Sequence, residues 1–140
     1  PENLFVARFV GVSNEVCGTL SDVQAGEGNL LPRDVSSSRV IRVSVPVGLQ
    51  SGIQVVVTVR PERIRITPGH VAAAGANCLH GVVETMRYIG SEWQGVVRIG
   101  ESVCWTIHAL NAASGSRPVA VGAPVSLQWN AGDGVVIPLT

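Results

Sequence analysis

Hydrophobic and polar positions alternate with a period of two along the stretch Ile53–Ile66, IQVVVTVRPERIRI. Alternate valines fall on one face of an extended strand, and the other face is polar except for Val56. This alternation predicts a half-buried β-strand. Pro61 interrupts the strand because it has no backbone N–H to donate, and the alternation resumes after it. The stretch therefore predicts a strand, a corner and a second strand, with Arg60 and Glu62 displayed together at a charged corner.

Shorter alternating segments recur along the chain and are separated by glycine-rich turns. They bring the predicted total to about eight to ten strands, the others lying at 15–23, 39–47, 78–90, 93–99, 103–109, 125–129 and 135–139. Residues 25–38 and 67–77 are predicted connections, because Gly, Pro, Ser and Ala dominate them. Gly81 is predicted to mark a bulge or a bend of a barrel strand, and the sequence shows no exact internal repeat.

The first eleven residues, PENLFVARFVG, are the predicted helix. Pro1 suits a first turn, Asn3 is a typical N-cap and Gly11 is a typical stop. A helix of about ten residues does not hold alone, so its apolar face is expected to pack on the barrel or on an upstream domain. The predicted fold is all-β, with an OB-fold-like barrel or barrels of short antiparallel strands and this short N-terminal helix.

Composition and charge argue against two classes of protein, those that bind nucleic acid and those with a membrane-spanning helix. The 140 residues and 14.6 kDa fit a single domain. The formal net charge is zero, which argues against a nucleic-acid partner because such surfaces normally carry a basic excess. No apolar run reaches the roughly 18 residues of a membrane helix. With 46% hydrophobic and 14% charged residues, part of the surface is expected to be buried against a partner.

The cysteines indicate the redox compartment, and the first residue indicates whether the chain is a fragment. Cys17, Cys78 and Cys104 are odd in number and lack framework spacing, which suits a reducing cytosol. The chain begins at Pro1 without a methionine, and we therefore expect it to be a fragment of a longer protein.

Other residues invite catalytic or metal-binding interpretations that the pattern does not favour. Glu62 and Glu84 lie on different predicted strands, so solvated or ion-paired roles are expected for them instead of paired acid–base chemistry. Cys78 and His80 share a strand face as two metal ligands could, but the other His and Cys residues supply no recognisable ligand set. No G-x-S-x-G elbow is present. No catalytic, cofactor-binding or metal-binding residue is predicted.

The tryptophans and the charged corner are the candidates for structure and recognition. Trp105 and Trp129 lie on the apolar side of clean alternations and are predicted core residues. Trp93 follows a turn and is predicted to be partly exposed, as an interface aromatic would be. Arg60 and Glu62 are predicted to form a salt bridge, with partner sensing as the alternative. The candidate partner or regulatory contacts are Arg60, Glu62 and Trp93.

Four segments in order along the chain carry a family resemblance: PENLFVARFVG followed by Asn14, VRPERIRI, VVETMRYIGSEWQGVVRI and PVSLQWNAGDGVVIPL. Together they resemble the TOBE (transport-associated OB) module that follows the nucleotide-binding domain in ABC transporter ATP-binding subunits. The resemblance is to the spermidine/putrescine type, with the maltose and ferric-iron importer ATPases as relatives.

The resemblance implies a regulatory module of an importer, with a polyamine-like transported substrate. Residues 1–11 would be the connector helix and 12–140 the regulatory domain, with halves of about 12–67 and 78–140. The chain has no Lys and no G-x-x-x-x-G-K-[ST] loop, so this segment would not cradle ATP phosphates in the usual way. The resemblance implies no enzyme activity and no cofactor for this fragment, within a parent protein that is an ABC-type ATPase. ATP and Mg²⁺ would bind in the missing ATPase domain. The implied partners are a second copy, that ATPase domain and, through it, the permease subunits, on the cytoplasmic face of a bacterial plasma membrane.

Two other functions remain open at this point. The first is a small-ligand or oxyanion-sensing barrel. The second is an oligonucleotide-binding OB protein, which the zero net charge disfavours.

Overall fold

The computed structural model describes residues 14–35, 40–71, 77–110 and 119–139, and the predicted helix at 1–11 lies outside them. The described ranges contain ten strands and two short 3₁₀ turns. The strands are β1 (Asn14–Gln24), β2 (Glu27–Pro32), β3 (Ile41–Ser44), β4 (Gln54–Val59), β5 (Arg65–Pro68), β6 (Asn77–Ile89), β7 (Glu92–Arg98), β8 (Cys104–Leu110), β9 (Pro124–Trp129) and β10 (Gly134–Pro138). The turns are η1 (Pro61–Arg63) and η2 (Ala131–Asp133). The all-β prediction is confirmed.

The strands form two antiparallel sheets of five strands each. Their orders are β10-β4-β1-β2-β3 and β5-β9-β6-β7-β8. The two edge strands of each sheet also contact one another, β3 with β10 and β5 with β8. Each sheet is therefore curled toward closure, which confirms the predicted OB-like barrels. No helix in the described part of the chain is long and apolar enough to cross a membrane.

The two sheets are structural repeats that exchange their last strands. Strands β1–β5 correspond in order and pairing to β6–β10, but β5 completes the second sheet and β10 completes the first. Each sheet thus contains strands of both repeats, because β5 (Arg65–Pro68) ends the first repeat and β10 (Gly134–Pro138) ends the second. Strand exchange links the two sheets through two crossovers of the chain.

A short pattern, Asn-x-x-x-Gly, opens the first strand of each repeat: Asn14 to Gly18 in β1 and Asn77 to Gly81 in β6. A Cβ added at Gly18 would overlap the carbonyl of Leu31, and one at Gly81 would lie 2.6 Å from the carbonyl oxygen of Arg98. The glycine therefore lets the neighbouring strand approach closely in each repeat.

The main hydrophobic core of the described residues is shared by both sheets. Trp105 and Trp129 are buried in it, with ring centroids 5.1 Å apart. This confirms the predicted core role of both tryptophans. The indole Nε1 of Trp105 donates a hydrogen bond to the backbone oxygen of Glu15 in the other sheet (3.0 Å).

One local prediction is wrong. Residues 27–32, predicted as part of a connection, form β2. Ala25 and Gly26 have positive φ values of 54° and 80° and close a two-residue hairpin of the kind that such angles favour. Of the two alternatives for Gly81, the bulge lies elsewhere, because the β6–β7 register shifts between Val83 and Thr85.

Candidate functional site

The charged corner is built where the chain leaves β4. Arg60 is extended (φ −73°, ψ 142°), and Pro61 begins η1 with its fixed φ. The backbone N–H of Ile64 closes the turn by donating to the oxygen of Pro61 (3.2 Å). Pro61 and Ile64 are buried, whereas Arg60 and Glu62 are exposed. The backbone thus anchors two apolar residues and displays two charged ones.

Arg60 and Glu62 form the predicted ion pair. Arg60 Nε lies 3.1 Å from Glu62 Oε2. A hydrogen bond from the backbone N–H of Glu62 itself, and then one from Arg60, hold the pKa of the Glu62 carboxyl below its usual value. His108 acts on that pKa in the same direction, as a smaller contribution. The corner therefore presents a guanidinium and an ionised carboxylate side by side.

Strand β8 extends the charged corner into a larger polar surface. Turn η1 packs against β8, which carries His108. His108 Nδ1 lies 3.9 Å from Glu92 Oε1, and its Nε2 lies 3.4 Å from Gln94 Nε2. We name this surface the polar strip; its members are Arg60, Glu62, His108, Gln94 and Glu92. A strip with one guanidinium, two carboxylates and an imidazole suits ion pairing with a partner.

Trp93 lies apart from the polar strip, although its neighbours in the sequence belong to it. Because successive side chains of a strand point to opposite faces, Trp93 faces away from Glu92 and Gln94. It is partly buried, packs against the main core and meets the ring of Tyr88 at 5.4 Å. The structure thus brings Arg60 and Glu62 together and places Trp93 on the other face of β7.

The sequence analysis did not identify His108, Glu92 and Gln94 as members of this surface, although the alternation in 103–109 places His108 on the polar face.

Two buried asparagines, for which the sequence predicted no structural role, hold the sheets together. Asn14 Nδ2 donates to the oxygen of Thr106 (2.8 Å), and the N–H of Thr106 donates to Asn14 Oδ1 (2.7 Å). Asn77 makes the equivalent pair with Arg42, at 2.9 and 2.8 Å. Thr106 and Arg42 lie on the edge strands β8 and β3, so each amide supplies the two hydrogen bonds that an edge leaves unmade. The sequence signal that could have identified both asparagines is the Asn-x-x-x-Gly pattern, which occurs at Asn14 and again at Asn77.

The other candidate groups are tied up in separate contacts. Glu84 pairs with Arg98, while Glu62 pairs with Arg60. The His70 and His80 rings stack 4.5 Å apart, and His80 Nε2 lies 3.0 Å from the oxygen of Val71. Within the described ranges, no group of three or more His, Cys, Asp or Glu residues could hold a metal ion.

A surface cavity of about 360 Å³ lies where the repeats meet. Its charged lining consists of Glu15, Arg33 and Asp34, and Ser102 and Cys104 contribute polar atoms from the second repeat. Two carboxylates beside one guanidinium do not favour an anion.

Comparison with known families decides the classification. The family model described as the TOBE domain matches residues 57–137, more than half of the chain. The chain belongs to the TOBE domain family. The matched part of this TOBE domain contains the charged corner and Trp93.

The similar proteins share one description. The chain is 28% identical over 138 residues to the spermidine/putrescine import ATP-binding protein PotA of Thermobifida fusca, covering 99% of this chain and 35% of that protein. It is 31% identical over 135 residues to the protein of the same name from Rubrobacter xylanophilus, covering 94% and 33%. The TOBE domain thus spans about a third of the length of the curated relatives it matches.

A solved structure shows the same fold. The cytoplasmic molybdate-binding protein ModG superposes with a TM-score of 0.73 over 89% of this chain and 96% of that one, at 18% identity. At this identity the likeness concerns the fold of the TOBE domain alone.

Proposed function

We propose that this TOBE domain is the regulatory and dimerising part of an ABC importer ATP-binding subunit, with a polyamine-like transported substrate. The observation that carries the proposal is the similarity over 99% of this chain to 35% of a spermidine/putrescine import ATP-binding protein. A match that fills one chain and a third of the other supports a module within a larger protein. The ATP and Mg²⁺ sites would then belong to an upstream domain.

The charged corner is the proposed partner contact, and the second repeat supports this assignment. The equivalent turn η2 is closed by Asn130 and Asp133, whose side chain accepts from the backbone N–H of Asn130 (3.1 Å). Glu62 corresponds there to Gly132, so the turn forms without an exposed Arg–Glu pair. Because the fold does not need this pair, its charges are available for the ATPase domain or for a second copy. Trp93 is the proposed aromatic contact of the dimer.

The proposed setting is the cytoplasmic face of a bacterial plasma membrane, reached through the permease subunits that the parent protein would bind. The coding region upstream of Pro1 tests this part of the proposal. We expect it to encode a Walker A loop and an ABC signature motif. A frame without both would contradict the importer assignment.

Self-association is tested on the chain itself by sedimentation velocity across a concentration series. We expect dimers, and we expect Trp93→Ala to weaken them about tenfold, equivalent to roughly 1.4 kcal/mol. Val47 is fully exposed on a loop of the first repeat, so Val47→Ser is the matched control and should leave dimerisation unchanged. A chain that stays monomeric at every concentration would overturn the dimerising role.

A small-ligand or oxyanion sensor is the second candidate, and the fold it shares with a molybdate-binding protein favours testing it. Calorimetric titration with molybdate, sulfate and spermidine separates the two functions. Saturable heat with one of these ligands would favour the sensor, and its absence would favour the regulatory module.

A further inference from the structure

An apolar row crosses the outer face of the first sheet. Ile137, Val56 and Cys17 are direct neighbours across β10, β4 and β1. They form a small cluster separate from the main core. Val56 is 0% exposed and Ile137 is 3% exposed, although both point away from the barrel interior. Val56 is also the valine that breaks the alternation of β4. Side chains in these positions need a cover on the outer side of the sheet.

The second repeat has an equivalent row with the opposite chemistry. Thr67, Ser126 and His80 are neighbours across β5, β9 and β6, and we name them the polar row. Ser126 is fully buried, and backbone groups of residues 69–71 cover it. Its Oγ donates to the oxygen of Gly69 (2.8 Å) and accepts from the N–H of Val71 (2.9 Å).

The chemistry of each row matches its cover. Backbone N–H and C=O groups over a sheet require polar partners, because unpaired buried polar groups are costly. The row of Ile137, Val56 and Cys17 offers no such partners and suits apolar side chains instead. A strand or loop backbone laid across it would leave its own polar groups unmatched.

Position and composition identify the covering segment. The parts of the chain outside the described residues are 1–13, 36–39, 72–76, 111–118 and 140. Large apolar side chains occur in 1–13 alone; the other segments consist of Ser, Ala, Gly, Asn, Arg, Pro and Thr. Residues 1–13 lead directly into Asn14, and Cys17 follows three residues later, a distance of roughly 10 Å along a strand. The segment therefore has both the side chains and the reach.

We propose that residues 1–13 dock on the apolar row, with Phe5 and Phe9 over Val56 and Ile137. The two phenylalanines are spaced i, i+4 and so share one face of the helix predicted there. This docking does not depend on the importer assignment. Docking on this row would attach the N-terminal segment to β1, β4 and β10, so that a displacement of the segment would be transmitted to the first sheet.

The thiol of Cys17 reports on this docking because it sits at the end of the row and is partly buried. In the full chain with Cys78 and Cys104 replaced by Ser, the rate of maleimide modification of Cys17 is measured with and without Phe5→Ser and Phe9→Ser. We expect the double replacement to speed modification about tenfold, equivalent to roughly 1.4 kcal/mol in the opening equilibrium. Ala7→Ser, on the opposite helix face, should leave the rate unchanged.

An exposed thiol controls for general loosening of the fold. Cys104 lies on β8 and is exposed, so a chain keeping only Cys104 should react at the same rate with and without the phenylalanine replacements. Equal Cys17 rates in the parent and double variant would overturn the docking. Equal acceleration at Cys17 and Cys104 would overturn it as well.

Crosslinking tests which side of the N-terminal segment faces Cys17, without removing both phenylalanines. In a chain that keeps Cys17 as its sole native cysteine, Phe9→Cys should allow a short bismaleimide to bridge the two thiols within one molecule. Ala7→Cys is the matched control and should bridge at a much lower yield. Equal yields from positions 9 and 7 would contradict the assigned face.

Discussion

Replacing Asn14 by alanine should cost about 2 to 4 kcal/mol of unfolding free energy. The substitution removes two hydrogen bonds of 2.8 and 2.7 Å at a buried site, each worth about 1 kcal/mol net. It also leaves the N–H and C=O of Thr106 unpaired on the edge strand β8, and an unsatisfied buried group costs about 1 to 3 kcal/mol. The lower end of the estimate counts the two lost hydrogen bonds alone, and the upper end adds about 2 kcal/mol for one Thr106 group that water does not reach.

Urea unfolding followed by circular dichroism and tryptophan fluorescence measures this loss. Asn77→Ala removes the equivalent pair at Arg42, so it should cost a similar amount. Asn29 is the matched control, because its amide bonds Asp22 and Arg42 side chains at an exposed site. Asn29→Ala should change stability by less than about 0.5 kcal/mol.

Replacing Asn14 by aspartate tests separately whether the donated hydrogen bond is needed. Asn14→Asp keeps an oxygen to accept from the N–H of Thr106, but it loses the donor to the oxygen of Thr106 and buries a charge. It should therefore destabilise at least as much as alanine at neutral pH. If Asn14→Ala cost no more than Asn29→Ala, the two hydrogen bonds would not be what joins the sheets.

Three other outcomes follow from the structure. Trp105→Ala should cost about 3 to 5 kcal/mol in urea unfolding because the indole is buried in the core, and a loss well under 1 kcal/mol would contradict that burial. Gly81→Ala should cost about 1 to 3 kcal/mol through the clash with the carbonyl of Arg98. Gly132→Ala, where an added Cβ has nothing within 4 Å, should stay within about 0.5 kcal/mol. The backbone N–H of Glu62 and then Arg60 lower the pKa of the Glu62 carboxyl in the folded state, so the ionised carboxylate stabilises the fold above the ordinary value of 4.5, and this effect is lost as pH falls below it. Glu62→Gln should thus remove a small contribution at pH 7 and none at pH 2, and equal differences at both would contradict a stabilising role for the ionised carboxylate.

Alternation predicted the parts of the fold that short-range geometry determines. The valines of β4, the proline at the start of η1 and the isoleucines around β5 are consecutive in sequence, so period, interruption and resumption were all visible in one stretch. Trp105 and Trp129 were assigned to the core by the same argument. Residues 27–32 were missed because glycine and proline in β2 resemble loop composition, and a hairpin turn containing Ala25 has no strong sequence signal.

Long-range pairing was outside the reach of that argument. The exchange of β5 and β10 depends on which strands meet across more than 55 positions of sequence, and a periodic pattern is the same for either partner. For the same reason, the sequence predicted only Arg60 and Glu62 among the members of the polar strip. Arg60 and Glu62 are two residues apart, but His108 joins them only because η1 packs against β8.

The two repeats separate what the fold requires from what is particular to one position. Asn14 and Asn77, like Gly18 and Gly81, occupy equivalent sites and make equivalent contacts, so the architecture demands them. Arg60 and Glu62 correspond to Asn130 and Gly132, and Val56 corresponds to Ser126, so the same architecture accepts either chemistry there. Residues that differ between matched sites are free of the common structural constraint. Differences at the charged corner and at the outer face of β4 are therefore best explained by what each surface contacts, and these are the two surfaces to which we assign a partner and the N-terminal segment.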